Sequence, residues 1–176
     1  MDLQSIRIPA CVPVGVLATI TMDVAMVAAG RLGESAPTSD RYGPDVIGRW
    51  VTDSVRGRWR HGNITREPAR RGELALGLLT HYVTGIVLTQ VYLLPPRRGT
   101  GRRRFLGATA FGIATAVAPF FVLFPSIGYG WFGHRSGDAA RVIPITLIGH
   151  TAFGVGIGLG DAVLRGASAA SVTLGG

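Results

Sequence analysis

Four stretches, at about residues 8–30, 73–94, 105–124 and 142–164, are apolar and contain neither lysine nor arginine. Each supplies the roughly 20 apolar residues that a helix needs to cross a bilayer core. The segments between them hold nearly all of the 18 basic residues, and every one of those is arginine. Hydrocarbon offers the backbone no hydrogen-bond partners, so this partitioning predicts an all-α fold, a four-transmembrane-helix bundle with solvated loops. Buried helices of a soluble bundle would carry a polar stripe every 3.6 residues, and these do not. The chain is read as a single membrane domain over 1–176.

Composition narrows the function classes. Only 16% of residues are charged, against about a quarter in a soluble domain, which excludes disorder, a fibrous repeat and an ordinary soluble enzyme. A single cysteine, Cys11, excludes a disulfide framework and a cysteine-built metal site. Val27-Ala28-Ala29 has the small-residue look of a signal cleavage site. Asp23 inside the stretch and the lone Arg7 before it argue for a retained helix instead.

The arginines also bear on orientation. Nine lie between Arg31 and Arg71, five between Arg97 and Arg104, and two at Arg135 and Arg141. Four crossings put loops 31–72 and 125–141 on one face, and the positive-inside rule points to that face as cytoplasmic. Both termini then share the other face. Arg97, Arg98, Arg102, Arg103 and Arg104 are expected to be solvated or bound to headgroups there.

Loop 31–72 contains an amphipathic segment. Pro44 suits a first helical position, and Val46, Ile47, Trp50, Val51 and Val55 share one side of a helical projection, with Arg49, Asp53 and Arg56 elsewhere. The expectation is a short interfacial helix at about 44–55, with Trp50 directed towards lipid. The basic run Arg56, Arg58, Trp59, Arg60 and His61 reads as a membrane-interface segment. As a nucleic-acid patch it lacks a recognisable binding fold, so no nucleic-acid partner is expected.

An ordered set of segments then carries a resemblance: Ala18-Thr19-Ile20-Thr21-Met22-Asp23, Gly48-Arg49-Trp50 and Arg58-Trp59-Arg60-His61. It continues with Gly72-Glu73-Leu74-Ala75-Leu76-Gly77 running into His81-Tyr82-Val83-Thr84-Gly85, then Ala118-Pro119-Phe120-Phe121-Val122 and His150-Thr151-Ala152-Phe153-Gly154. In order and spacing, from about Val14 to Asp161, the chain resembles the bacterial integral-membrane family called domain of unknown function 2938. That resemblance implies a small multi-pass protein of the bacterial inner (cytoplasmic) membrane and transfers no activity.

Polar groups inside the spans are the functional signal, because a charge near the bilayer centre costs roughly 2.5–3.5 kcal/mol on insertion scales. Asp23, His81 and His150 each lie seven or eight residues from the first-loop or third-loop end of their span. At about 1.5 Å per residue this is a common depth of about 10–12 Å. Each also lies on a stripe of small residues spaced by four: Gly15, Thr19 and Asp23; Gly77, His81 and Gly85; Thr146, His150, Gly154 and Gly158. Such stripes let helices approach closely, and Gly-rich faces of this kind also suit a homo- or hetero-oligomer. Pro119 interrupts span three and frees the carbonyl of Thr115. The expected ligand-lining set is Thr19, Asp23, His81, Thr84, Pro119 and His150. Asp23, His81 and His150 are the candidate catalytic residues, and structural hydrogen bonding is the plainer reading of each alone.

Two histidines and a carboxylate form a ligand set for a divalent metal, and two histidines one for haem; no local motif selects either cofactor. His61 and His134 are expected to be solvated. The reading that best fits is a pocket for a lipid-soluble small molecule within the bilayer. An accessory subunit without chemistry and a small proton-coupled carrier are the alternatives; whether the pocket is enzymatic stays open.

Overall fold

The computed structural model describes residues 3–32, 43–95 and 99–174, with side chains described over 11–31, 43–95 and 99–166. The fold is all-helical, and no strand occurs among the described residues. Helices α1 (Leu3–Leu32), α3 (Glu73–Leu93), α4 (Gly101–Thr115) and α6 (Ala139–Leu174) are long; α2 (Pro44–Ser54) and α5 (Phe124–Ser126) are short. Four segments are long and apolar enough to cross a membrane: Cys11–Arg31, Glu73–Leu93, Gly101–Ser126 and Ala139–Gly166.

The third of these segments is not one continuous α-helix. After α4 ends at Thr115, the backbone resumes as a π-helical turn over Pro119–Leu123 before α5. Proline has no N–H and its ring crowds the preceding turn, so the break falls where Pro119 predicts it.

The long helices pack in the order α3, α1, α6, α4, and α2 lies on α3. Small residues make these contacts possible. A Cβ on Gly112 of α4 would fall 2.5 Å from the Gly154 Cα of α6, and one on Gly85 of α3 only 2.0 Å from the Thr19 Oγ1 of α1. The outer helices α3 and α4 meet at the second-loop end. There the rings of Tyr92 and Phe111 are 5.1 Å apart, and the Tyr92 hydroxyl donates to the Arg104 carbonyl at 2.9 Å.

Two apolar clusters result. One, including Cys11, Ala18, Tyr92, Ala108 and Ile157, fills the second-loop half. The other, including Val46, Ile64, Phe120, Phe124 and Tyr129, lies beneath loops one and three.

Helix α2 forms at Pro44–Ser54 as expected, with an unexpected placement of its charges. Arg49 is 6% exposed and Asp53 2%, buried alongside Val46 of the apolar stripe at 2%, while Val55, just past the helix, is 81% exposed. The reason is ion pairing with the chain that follows. Arg49 donates to both Glu73 oxygens, from Nε at 2.8 Å and Nη2 at 2.7 Å. Asp53 accepts from Arg70 Nε at 3.2 Å and Nη2 at 3.3 Å. Buried charges persist only when paired and hydrogen-bonded, and these are both.

Two further expectations are corrected. His61 is buried rather than solvated, its Nδ1 donating to Glu67 Oε1 at 2.9 Å. Arg104 is largely buried and paired with Asp161, Nη2 to Oδ1 at 2.6 Å, so it is no solvated headgroup ligand. Arg165 pairs with the same carboxylate. Arg102 and Arg103 are exposed as expected, whereas Arg97 and Arg98 lie outside the described residues. Trp50 is half-buried: its Nε1 donates to the Trp59 carbonyl at 3.2 Å, and the two indoles meet edge to face.

Candidate functional site

Because α3 and α4 join at one end only, a cavity of about 370 Å³ opens between them in the first-loop half. Helices α1 and α6 form its back wall, and Pro44, Ile47 and Trp50 of α2 cover it. All six residues of the expected ligand-lining set, Thr19, Asp23, His81, Thr84, Pro119 and His150, line this one cavity. Thr84, Ala118 and Val122 are exposed as well as lining, so the mouth is flanked by α3 and the π-helical turn with its approach.

Asp23 and His81 come together directly. A carboxylate only accepts, so His81 Nε2–H donates to Asp23 Oδ1 at 2.9 Å. The second carboxylate oxygen accepts from the Tyr82 hydroxyl at 3.0 Å. Both Asp23 oxygens are therefore engaged from α3, and Asp23 orients the imidazole. His81 Nδ1 is left without a protein hydrogen bond among the described residues.

His150 is held by a different partner. The Thr115 hydroxyl donates its one proton to the Gly112 carbonyl at 2.6 Å, so it must accept from His150 Nδ1 at 2.8 Å. The imidazole is fixed in the Nδ1–H tautomer. Its Nε2 has no protein hydrogen bond among the described residues and is not one of the fully enclosed orphan atoms. Two ring nitrogens without a protein partner thus belong to residues that line a mostly apolar cavity. Thr19 plays no comparable part, because its hydroxyl donates to the Gly15 carbonyl one turn back, at 2.8 Å.

Tyr82 and Thr115 were missing from the sequence reading. Tyr82 adjoins His81 on the same helix turn, which was a usable signal. Thr115 drew notice only for its carbonyl, whereas its hydroxyl carries the contact.

A second polar cluster lies under the loops. Asp53, His61 and Glu67 place one ligating atom each within 4.8 Å of one another. Among the described residues, Asp23, His81 and His150 are not drawn together in this way. The Arg58 guanidinium reaches all three members of the loop cluster, at 2.5 Å from Glu67, 3.4 Å from His61 and 3.8 Å from Asp53. A fixed positive charge already balances those carboxylates, so the cluster reads as a clasp holding loop one. Its electrostatics agree: the hydrogen bond from Arg70 holds the Asp53 carboxyl below its ordinary value, against the opposing effect of burial.

No curated protein and no solved structure matches the chain. The family model described as protein of unknown function (DUF2938) matches residues 12–164, which include every cavity-lining residue named above. The chain belongs to that family.

Proposed function

We propose that this chain is a multi-pass protein of the bacterial inner membrane, with loops one and three cytoplasmic. In this reading the cavity between α3 and α4 holds one lipid-soluble molecule ending in a hydrogen-bond donor such as a hydroxyl. The observation that carries it is the pair of imidazole nitrogens without a protein partner, His81 Nδ1 and His150 Nε2, on residues that line a cavity of about 370 Å³. In their neutral forms both nitrogens accept, so the matching ligand atom donates. The apolar walls suit a hydrocarbon body, and the mouth between α3 and α4 suits entry from the bilayer.

The oriented Asp23–His81 pair is also what a general base requires. That favours a reactive pocket over an accessory subunit, whose contacts would need no such pair.

Trp50 lines the cavity and reports on it. Detergent-purified protein titrated with an ω-brominated long-chain alcohol is expected to show saturable quenching of Trp50 fluorescence. Filling the mouth by Ala118→Trp in a Trp59→Phe, Trp131→Phe background, read by displacement of a radiolabelled alcohol, is expected to abolish binding. His150→Leu is expected to weaken it. Quenching that rises linearly with alcohol, unaffected by either variant, would overturn the proposal.

A further inference from the structure

The loops carry a separate polar pocket of about 280 Å³, bounded by Arg60, His61, Gly128, Trp131, His134 and Arg135. It lies between the segment after α2 and the loop that follows α5. Backbone hydrogen bonds dock the two loops: His61 N–H to the Ser126 carbonyl at 2.8 Å, and Ile64 N–H to the Ile127 carbonyl at 3.0 Å. Gly128, with φ +94°, lets them touch, since a Cβ there would fall 2.1 Å from the Gly62 carbonyl oxygen.

Charge singles this pocket out. Its lining contains two arginines and two histidines and no acidic residue. Arg60 and Arg135 are exposed, and neither side chain has an ion-pair partner among the described residues. Elsewhere on the loops Arg49, Arg70, Arg58 and Arg141 pair with Glu73, Asp53, Glu67 and Asp138, while the exposed Arg56, Arg66 and Arg71, without an ion pair among the described residues, lie outside this lining.

In their neutral forms the histidines brace the pocket wall and leave anion recognition to the arginines, because each carries its proton on Nδ1. His134 Nδ1–H donates to the Trp131 carbonyl at 2.9 Å, which leaves Nε2 free. The His61 side chain is fully buried, with Nδ1 on Glu67 and Nε2 lacking any partner. Beside these, Trp131 is 57% exposed and Trp59 59%. Exposed indoles next to arginine are the side chains that settle at the headgroup level of a bilayer.

We propose that this pocket binds a phosphate group, and that in the membrane the phosphate belongs to the headgroup of an anionic phospholipid. Two unpaired guanidiniums offer forked donors that match phosphate oxygens. The lipid assignment rests on the membrane reading above; the anion site does not.

The test uses the full chain in neutral detergent, with Trp131 fluorescence read in a Trp50→Phe, Trp59→Phe background. Short-chain phosphatidylglycerol, short-chain phosphatidylcholine and inorganic phosphate are titrated separately. Saturable binding of phosphatidylglycerol, weaker with phosphatidylcholine and competed by phosphate, is expected. Arg60→Gln with Arg135→Gln is expected to weaken it about 30-fold, the usual worth of two arginines against an anionic surface. Arg102→Gln with Arg103→Gln, exposed at the other end of the molecule, is expected to leave it unchanged, as is the cavity variant His150→Leu. Far-ultraviolet circular dichroism checks that each variant folds. Phosphate binding without phosphatidylglycerol binding overturns the lipid assignment. Equal affinity of the Arg60→Gln, Arg135→Gln protein and the unaltered one, or no binding of any anion, overturns the site.

Discussion

Replacing Arg49 with alanine tests what holds α2 over the cavity. Its guanidinium makes four hydrogen bonds: two to Glu73, one to the Ile64 carbonyl at 2.9 Å and one to the Glu67 carbonyl at 3.0 Å. The side chains of Arg49 and Glu73 are only 7% and 12% exposed. Without Arg49, the Glu73 carboxylate keeps a single hydrogen bond, from the Arg70 N–H at 2.7 Å. Removing one partner of a buried pair costs about 3–5 kcal/mol, because the other charge stays behind uncompensated. The loss falls on α2 and on residues 61–67, which cover the bundle, and not on the long helices themselves. It should therefore appear as local opening, raised roughly 10²- to 4 × 10³-fold.

Hydrogen–deuterium exchange in detergent reads this directly, with peptides over 44–54 compared against peptides over 149–157 as an internal reference. A second variant separates charge from packing. Arg49→Met with Glu73→Leu removes both charges, and apolar replacement of a buried pair is often neutral, so it should recover most of the protection. Unchanged exchange over 44–54 in Arg49→Ala, or faster exchange in the double variant than in the single one, would refute the reasoning.

Gly112→Leu should separate α4 from α6 and cost at least the 1–3 kcal/mol (roughly) of ordinary overpacking, since backbone atoms of Gly154 and His150 lie 2.5 Å from the new Cβ. Gly30→Leu, with nothing within 4 Å, should leave the melting temperature unchanged, and equal melting of the two would contradict the packing. Asp53 gives a pH dependence. Its folded pKa lies below the ordinary 3.8, so its stabilisation is complete above that value and lost as pH falls through the folded one. Exchange over 44–54 should accelerate below about pH 4, and less so in Asp53→Asn; identical acid profiles would remove Asp53 from the account. Arg104→Ala should destabilise the protein by about 1.5–3 kcal/mol, because Asp161 loses both hydrogen bonds from Arg104 and keeps Arg165, while Arg103→Ala stays within about 0.5 kcal/mol, as measured by chemical denaturation. Reporter fusions at residues 1 and 176 should report the same side of the membrane, and opposite sides would exclude four crossings.

The long helices were legible because the rule behind them is one-dimensional. An arginine-free run of about 20 apolar residues has few ways to satisfy its backbone in hydrocarbon, and no knowledge of neighbours is required. Depth is one-dimensional too, so counting along each helix placed Asp23, His81 and His150 at one level, and all three line one cavity. Partner choice is not of this kind. That His81 would meet Asp23 while His150 met Thr115 depends on helix rotation and on the order α3, α1, α6, α4, which four similar apolar stretches do not encode locally.

Loop one shows the same limit in a sharper form. Amphipathic periodicity assigned Arg49 and Asp53 to water because a lone charge belongs there. That inference assumes the rest of the loop offers nothing better. Glu67, Arg70 and Glu73 supply the missing partners from 17 to 24 residues further along, and once paired, the charged face of α2 can turn inward. Ile47 and Trp50 are then free to cover the cavity. The clasp and the cavity are in this sense one construction, since the ion pairs that anchor α2 also hold Ile47 and Trp50 over the cavity lined by Asp23, His81 and His150. A chain with the same spans but without Glu73 would keep its depth pattern and lose its cover.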